Sequence, residues 1–278
     1  MTKALVNRIL PFSSVDGPGN RTVIFLQGCN FNCRYCHNPE TISRCIACGQ
    51  CISACPSGAL ESSNGKVTWN STSCISCDAC LATCCSKSSP KAVLITVGDV
   101  MKTINKVRPF ISGVTVSGGE CTLQKEFLVE LFYEVHKSKL TAFVDTNGSI
   151  DFSKQEMLTN SMDMAMLDIK SFDEKEHVML TGMSNDLVLK NAEYLAKLDK
   201  LYEIRTVIVP GLLDNHRNVR EISGMISRLN PDIKYKLIKF RPLGVLGEMK
   251  KVPVPSNKLM EELKKSVEEK GCRNVIVV

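Results

Sequence analysis

The stretch GCNFNCRYCHNP, residues 28–39, carries cysteines at 29, 33 and 36 and no fourth. Iron–sulfur cubanes and structural zinc sites normally take four protein ligands. Farther on, the spacing C-x2-C-x2-C-x3-C occurs twice: Cys45, Cys48, Cys51 and Cys55 followed by Pro56, then Cys74, Cys77, Cys80 and Cys84. This is the bacterial ferredoxin spacing, in which the fourth cysteine of each run ligates the other cluster. One cubane is therefore expected on Cys45, Cys48, Cys51 and Cys84, and a second on Cys74, Cys77, Cys80 and Cys55. The second run ends Cys84–Cys85 where the first has Pro56, so Cys85 is the alternative to Cys84 as ligand. Zinc is the poorer reading, because its sites usually pair two distant C-x2-C hairpins. Disulfides suit small exported domains, not tightly spaced cysteines in a chain without an export signal.

A triplet C-x3-C-x2-C leaves one iron of a third cubane without a protein ligand. An open metal position is how a metal site admits a substrate. Cys29, Cys33 and Cys36 are thus expected to keep an iron for a small molecule, whereas a structural site gains nothing from the vacancy. The formal charge of +6 counts every cysteine as neutral. Three clusters on eleven thiolates bring the loaded protein to about +1, so the charge gives no support for nucleic-acid binding.

These cysteines need elements to hold them. With 278 residues, 44% hydrophobic, the chain has enough apolar content for a sizeable core. No apolar run approaches the ~20 residues of a membrane span. The N-terminal MTKALVNRIL has no apolar signal region, so a cytoplasmic location is expected. Strand-like runs are TVIFLQGC (22–29), GVTVSGG (113–119), LTAFVDTNG (140–148), MDMAMLDIK (162–170), YEIRTVIVPG (202–211) and YKLIKFRPL (235–243). Helix-like segments lie at 123–138, 153–160, 186–199, 216–229 and 256–270. Such alternation implies parallel βαβ units, and six strands are too few for a closed eight-stranded barrel. The expected fold is α/β, a partial (β/α)6 TIM-type barrel formed by residues 1–40 and 91–278. Residues 41–90 form a ferredoxin-like insert without a hydrophobic core of its own. In such barrels the chemistry gathers where strands end. Cys29, Ser117 to Glu120, Asp145 to Asn147, Asp168 with Lys170, and Arg241 all fall there.

The motif C-x3-C-x-aromatic-C, with Tyr35 before Cys36, resembles that of the radical S-adenosylmethionine (SAM) enzymes. The resemblance implies that the open iron binds the amino and carboxylate groups of SAM, and that an electron cleaves SAM to methionine and a 5′-deoxyadenosyl radical. The SGGE at Ser117, Gly118, Gly119 and Glu120 is similar to the family's strand end along the SAM amino group. Two glycines would let the backbone approach the ligand closely. VDGPGNRTVIFLQGC (15–29), VDTNG (144–148), MLDIK (166–170) and IRTVIVPG (204–211) resemble the activases of glycyl radical enzymes, the pyruvate formate-lyase activase-like group. The short two-cluster insert and KFRPLGVLGE (239–248) are most similar to the YjjW-type subgroup.

By that resemblance, Asp145, Thr146, the Met166 carbonyl and Asp168 surround SAM and a monovalent cation, Na+ or K+, and hard oxygen ligands suit a hard cation. Lys170 joins Asp168 at the rim. Arg205 at mid-strand calls for an anionic partner, such as the SAM carboxylate, because an unpaired buried charge is costly. Arg241 stands where related activases carry a histidine near SAM. Asp16, in the DGPG turn, is expected to help receive the partner's glycine loop. The partner is a glycyl radical enzyme, the electron donor a reduced flavodoxin or ferredoxin, and the chain alone is expected to be a monomer.

The remaining candidates have plainer readings. The stripe Met162, Met164 and Met166 reads as a buried strand of period 2. His37 shapes the cluster loop, His136 is a solvated helix residue, and His177 and His216 lie in loop-like polar surroundings. Cys121 and Cys272 are small apolar residues. Two rival functions are an electron carrier, which leaves the triplet, SGGE and DTNG unexplained, and a radical SAM enzyme acting on a small molecule or RNA.

Overall fold

A computed structural model describes residues 2–278. The chain runs β1 (Lys3–Ser13), β2 (Arg21–Leu26), then α1 (Gln50–Ser53), β3 (Leu60–Ser63), β4 (Lys66–Trp69) and α2 (Ala79–Thr83). It continues through β5 (Val93–Thr96), α3 (Val97–Val107), β6 (Gly113–Gly118), α4 (Lys125–Lys137), β7 (Thr141–Thr146), α5 (Glu156–Ser161) and β8 (Met164–Asp168). It ends with α6 (Glu174–Thr181), α7 (Asp186–Lys197), β9 (Leu201–Ile208), α8 (Asn215–Leu229), β10 (Lys234–Lys239), α9 (Asn257–Glu269) and β11 (Val275–Val277).

Nine strands form one sheet in the order β11-β10-β9-β8-β7-β6-β2-β1-β5. All six expected strands are present and adjacent, and each pairs parallel with its neighbour. All five expected helices are present within a few residues. Three strands of this sheet, like the separate β3–β4 hairpin, were not expected. β11 adds a seventh parallel strand, while β1 and β5 extend the other edge antiparallel. Their sequences explain the omission: β11 has three residues, and only Ala4 and Val6 of β1 are buried. Helices α3 and α6 also lay outside the expected set.

The parallel strands are buried on both faces, as all six residues of β2 show. The methionine stripe follows the same rule rather than period 2. Ala165, Met166 and Leu167 are consecutive buried residues, and Met164 is only half-buried. Helices pack one apolar stripe on the sheet: Val219, Ile222, Met225 and Ile226 from α8, and Met260, Leu263 and Val267 from α9. Full burial of each such side chain stabilises the fold by roughly 1.5–3 kcal/mol. Residues from β2, β6, β7, β8, β9 and β10 line a single cleft, so the sheet curves around it.

The segment 41–90 has only short elements: α1, α2 and the β3–β4 hairpin. It does have a small core of its own, with Cys51, Leu60 and Cys80 packed by Ile52, Val67, Trp69 and Leu81. Its first residues belong to the barrel's loop, because the amides of Gly28 and Cys29 donate to the carbonyls of Thr41 and Ile42.

Candidate functional site

β2 delivers the triplet loop to the end of the sheet. The Asn32 and Arg34 amides donate to the carbonyls of Thr181 and Leu180, seating the loop on the end of α6. Phe31 packs edge-on against His177 with ring centres 5.5 Å apart. His177 is fully buried within α6 and its Nδ1 meets the Met183 carbonyl at 2.7 Å, so its surroundings are packed rather than loop-like. His216 likewise sits in the first turn of α8. His136 is bonded to Asp163 at 2.9 Å, and His37 Nε2 meets the Arg241 carbonyl at 3.0 Å.

Cys29, Cys33 and Cys36 line one cleft of about 360 Å³. Burial pushes the thiols of Cys29 and Cys36 up to about 12 and 11, and raises Cys33 as well. A bound metal ion reverses that logic by holding thiolates. Two donors already face Cys29: the Phe31 amide at 3.4 Å and Asn147 Nδ2 at 3.7 Å.

Ser117, Gly118, Gly119, Asp145, Thr146, Asp168, Lys170, Arg205, Tyr35 and Asp16 line the same cleft. The glycine pair is required by the chain itself. A Cβ on Gly118 would stand 2.2 Å from the Leu26 carbonyl oxygen, and one on Gly119 would stand 2.3 Å from that of Gly28. The SGG segment is thereby pressed onto the end of β2, where the triplet begins. Glu120 is completely buried behind this wall. It accepts from Thr146 Oγ1 at 2.9 Å, the Asn147 amide at 2.7 Å and the Thr122 amide at 3.0 Å. It locks the SGGE and DTNG segments together. Burial raises its pKa, and these hydrogen bonds oppose the rise.

Arg205 has its anionic partners within the protein. Its Nε donates to Glu203 Oε1 at 2.6 Å, and NH1 donates to Asp145 Oδ2 at 3.0 Å. Lys236 Nζ joins Glu203 at 2.8 Å, and Ser117 Oγ donates to Asp145 at 2.9 Å. Burial opposes the Arg205 charge, but Asp145 and its neighbours outweigh that and raise its pKa. Asp168 and Lys170 form a separate pair at 2.6 Å. Glu203 and Lys236 were not singled out in the sequence. Glu203 stands two residues before Arg205 on β9, a local signal, whereas Lys236 is brought to them only by the register of β10 with β9.

Asp16 of the DGPG turn, which precedes β2 as the triplet loop follows it, lines the same cleft. Arg21, fully buried, stacks on Phe143 at 4.1 Å, and its Nε donates to Thr115 Oγ1 at 2.8 Å. Thr115 Oγ1 in turn donates to the Asp16 carbonyl at 2.6 Å, and Lys236 reaches the Val15 carbonyl at 3.4 Å. The Asp16 carboxylate accepts from the Ser13 hydroxyl.

Besides Glu120, which was expected at the SAM site but is walled off from the cleft, the Arg241 and Met166 side chains also lie off it. The Arg241 side chain is exposed and absent from the lining, and its carbonyl is what meets His37. The Met166 side chain is buried with its Sδ 2.9 Å from Arg205 NH2. Cys121 and Cys272 are buried and bond only to backbone carbonyls, as small apolar residues would.

In the insert, Cys45, Cys48, Cys51 and Cys84 line one cavity, and Cys55, Cys74, Cys77 and Cys80 line another. Cys85 is exposed and lines neither. The two runs repeat their geometry. Ala47 and Ser76, each two residues after the first cysteine, adopt φ of 57° and 56°. The two crossing cysteines are matched as well: Cys55 Sγ accepts from the Ala59 amide at 3.3 Å and Cys84 Sγ from the Ser88 amide at 3.4 Å.

All three cysteine-lined cavities suit iron–sulfur clusters by a second criterion. Five buried side-chain polar atoms among the described residues lack a partner, and three of them, Tyr35 Oη, Trp69 Nε1 and Ser88 Oγ, belong to residues lining these cavities. Each is a donor suited to a sulfur acceptor.

The radical SAM superfamily model matches residues 23–221. The indoleacetate decarboxylase activating enzyme of Tractidigestivibacter scatoligenes is 31% identical over 99% of this chain and 97% of its own length. The trans-4-hydroxy-L-proline dehydratase activating enzyme of Clostridioides difficile is 33% identical over 96% and 93%. SuiB from Streptococcus suis bound to its precursor peptide SuiA aligns with a TM-score of 0.61 at 15% identity, covering 92% of this chain and 48% of that one. QueE from Escherichia coli aligns with a TM-score of 0.55 at 12% identity over 99% and 94%. At such identities these two show the fold alone. The chain belongs to the radical SAM superfamily, and within it to the glycyl-radical-enzyme activating enzymes. A 4Fe–4S cluster and SAM come with that membership. No helix among the described residues is long and apolar enough to cross a membrane.

Proposed function

We propose that this chain places a radical on a glycine of a partner glycyl radical enzyme, using SAM bound in the barrel cleft and two further clusters in the insert. The observation that carries the reading is that one cleft is lined both by the cysteine triplet and by Asp16 of the DGPG turn. A 4Fe–4S cluster held by Cys29, Cys33 and Cys36 supplies, when reduced, the electron that cleaves SAM to a 5′-deoxyadenosyl radical. The chain's own groups do the rest. Ser117, Gly118 and Gly119 present a strand end to the SAM amino group. Asp145, Thr146 and Asp168 are candidate oxygen donors to SAM or a monovalent cation, and Arg205 holds Asp145 in place. Lys170 gives the rim a cation, 2.6 Å from Asp168.

Asp16 lies where a glycine loop entering the cleft would meet it, on a turn fixed by Arg21, Thr115 and Lys236. The insert cavities support two auxiliary clusters with crossed fourth ligands, and the YjjW-type subgroup as the nearest kind of activase. A cytoplasmic monomer reduced by flavodoxin or ferredoxin completes the proposal. The test is anaerobic incubation of the reduced, iron-loaded protein with SAM and a glycyl radical enzyme encoded beside it. Release of 5′-deoxyadenosine with a glycyl radical signal on the partner is expected. Release without a partner signal would point to another radical SAM substrate, and no release would point to an electron carrier. For the insert, Cys55→Ala should perturb the cluster of the second run; damage at the Cys45 cluster instead would overturn the crossing.

A further inference from the structure

The two insert cavities are alike in their cysteines and unlike in what else faces them. Ser88, 1% exposed, lines the cavity of Cys45, Cys48, Cys51 and Cys84, and its hydroxyl has no partner. Trp69 lines the cavity of Cys55, Cys74, Cys77 and Cys80, and its buried indole N–H has no partner either. The positions related by the repeat differ: Ala59, four residues after Cys55, stands where Ser88 stands after Cys84. A buried donor without an acceptor is costly and calls for an explanation. No neighbouring oxygen supplies one in either cavity. The remaining acceptors are sulfurs. The indole of Trp69 and the thiol of Cys74 line the same cavity.

We infer that Trp69 Nε1 and Ser88 Oγ are hydrogen-bond donors to the sulfurs of the two auxiliary clusters, one donor to each, and that each raises the reduction potential of its own cluster. The inference rests on the two-cluster reading of the insert. A hydrogen bond to a cluster sulfur stabilises the reduced, more negative state, and such bonds are among the features that set cluster potentials. The donors are of different kinds. The indole N–H is held by a large ring packed in the insert core, whereas the serine hydroxyl can rotate. The two clusters are therefore tuned separately.

Trp69→Phe keeps the ring and removes the N–H, and Ser88→Ala removes only the hydroxyl. The full-length protein, reconstituted anaerobically, is titrated with a reductant while electron paramagnetic resonance follows each cluster. Variants Cys74→Ser and Cys45→Ser, each disturbing one cluster, assign the signals. Trp69→Phe should shift downward only the midpoint potential of the Cys74 cluster, and Ser88→Ala only that of the Cys45 cluster. Full iron content with no potential moved overturns the donor roles and leaves the clusters standing. Equal shifts of both clusters in either variant also overturn them, since general distortion would act that way. A wild-type chain holding only about four iron atoms after reconstitution overturns the two-cluster reading, and the donor roles with it.

Discussion

The triplet loop and the insert hold cysteines by opposite means. Cys29, Cys33 and Cys36 sit on a loop that β2 delivers from a continuous apolar core and that the backbone of α6 and Thr41–Ile42 fastens on both sides. The eight cysteines of the insert sit in or between elements of four or five residues. Two of those cysteines, Cys51 and Cys80, form the insert core together with Leu60, and Cys45, Cys48 and Cys77 are exposed. The first site is framed by the barrel's own core and backbone. On the proposed two-cluster reading, the second would depend on its clusters for cohesion, because its apolar content is small. A protein that must admit a substrate to one cluster gains from a rigid frame there, and the proposed auxiliary clusters, which admit none, can serve as their own frame.

The largest effect that follows is at the triplet. Replacing Cys29, Cys33 and Cys36 together by Ala should abolish 5′-deoxyadenosine release and remove about a third of roughly twelve iron atoms. Full iron content in that variant would break the division into three sites. Chelation separates the regions next. Anaerobic removal of iron should open the segment between Arg44 and Ala92 to protease while the sheet keeps its far-ultraviolet circular dichroism. Digestion of barrel and insert at one rate would contradict the contrast.

Within the barrel, Arg205→Met strands Asp145 beside a buried Glu203 that keeps only Lys236. Breaking a buried pair in this way costs about 3–5 kcal/mol, and denaturant midpoints of the iron-loaded protein would measure it. A cost below about 1 kcal/mol would mean that Arg205 is held for a ligand rather than for the frame. Asp16→Asn carries a smaller effect. It should lower the partner radical formed per 5′-deoxyadenosine released by about tenfold, since misplacement of ~1 Å can cost up to about 10²-fold. An unchanged ratio would assign Asp16 to the turn alone, through its bond to Ser13.

The contrast also explains what could be read in advance. Cysteine spacing is local, so the crossed grouping of the insert cysteines was legible, and the cavities group the same residues. The six central strands announced themselves by continuous apolar runs such as TVIFL. What escaped was mainly non-local. Lys236 meets Glu203 because β9 and β10 pair in register, which a single sequence does not display. Arg205 was read as awaiting an anionic ligand because its two carboxylate partners lie on its own strand and two strands away. The glycine pair was legible as a close approach, but the approached group proved to be the end of β2. Edge strands β1 and β5, half in solvent, carried too weak a pattern to be found.

The central claim is that the cleft lined by the triplet and by Asp16 receives a glycine and takes hydrogen from its α-carbon. Isotope transfer tests it most directly. A partner enzyme carrying deuterium on the α-carbon of its radical glycine is incubated with the reduced, iron-loaded protein and SAM, and the nucleoside is analysed by mass spectrometry. The account predicts 5′-deoxyadenosine bearing one deuterium, in proportion to the partner radical formed. Unlabelled 5′-deoxyadenosine accompanying a fully formed partner radical would contradict direct abstraction from that glycine.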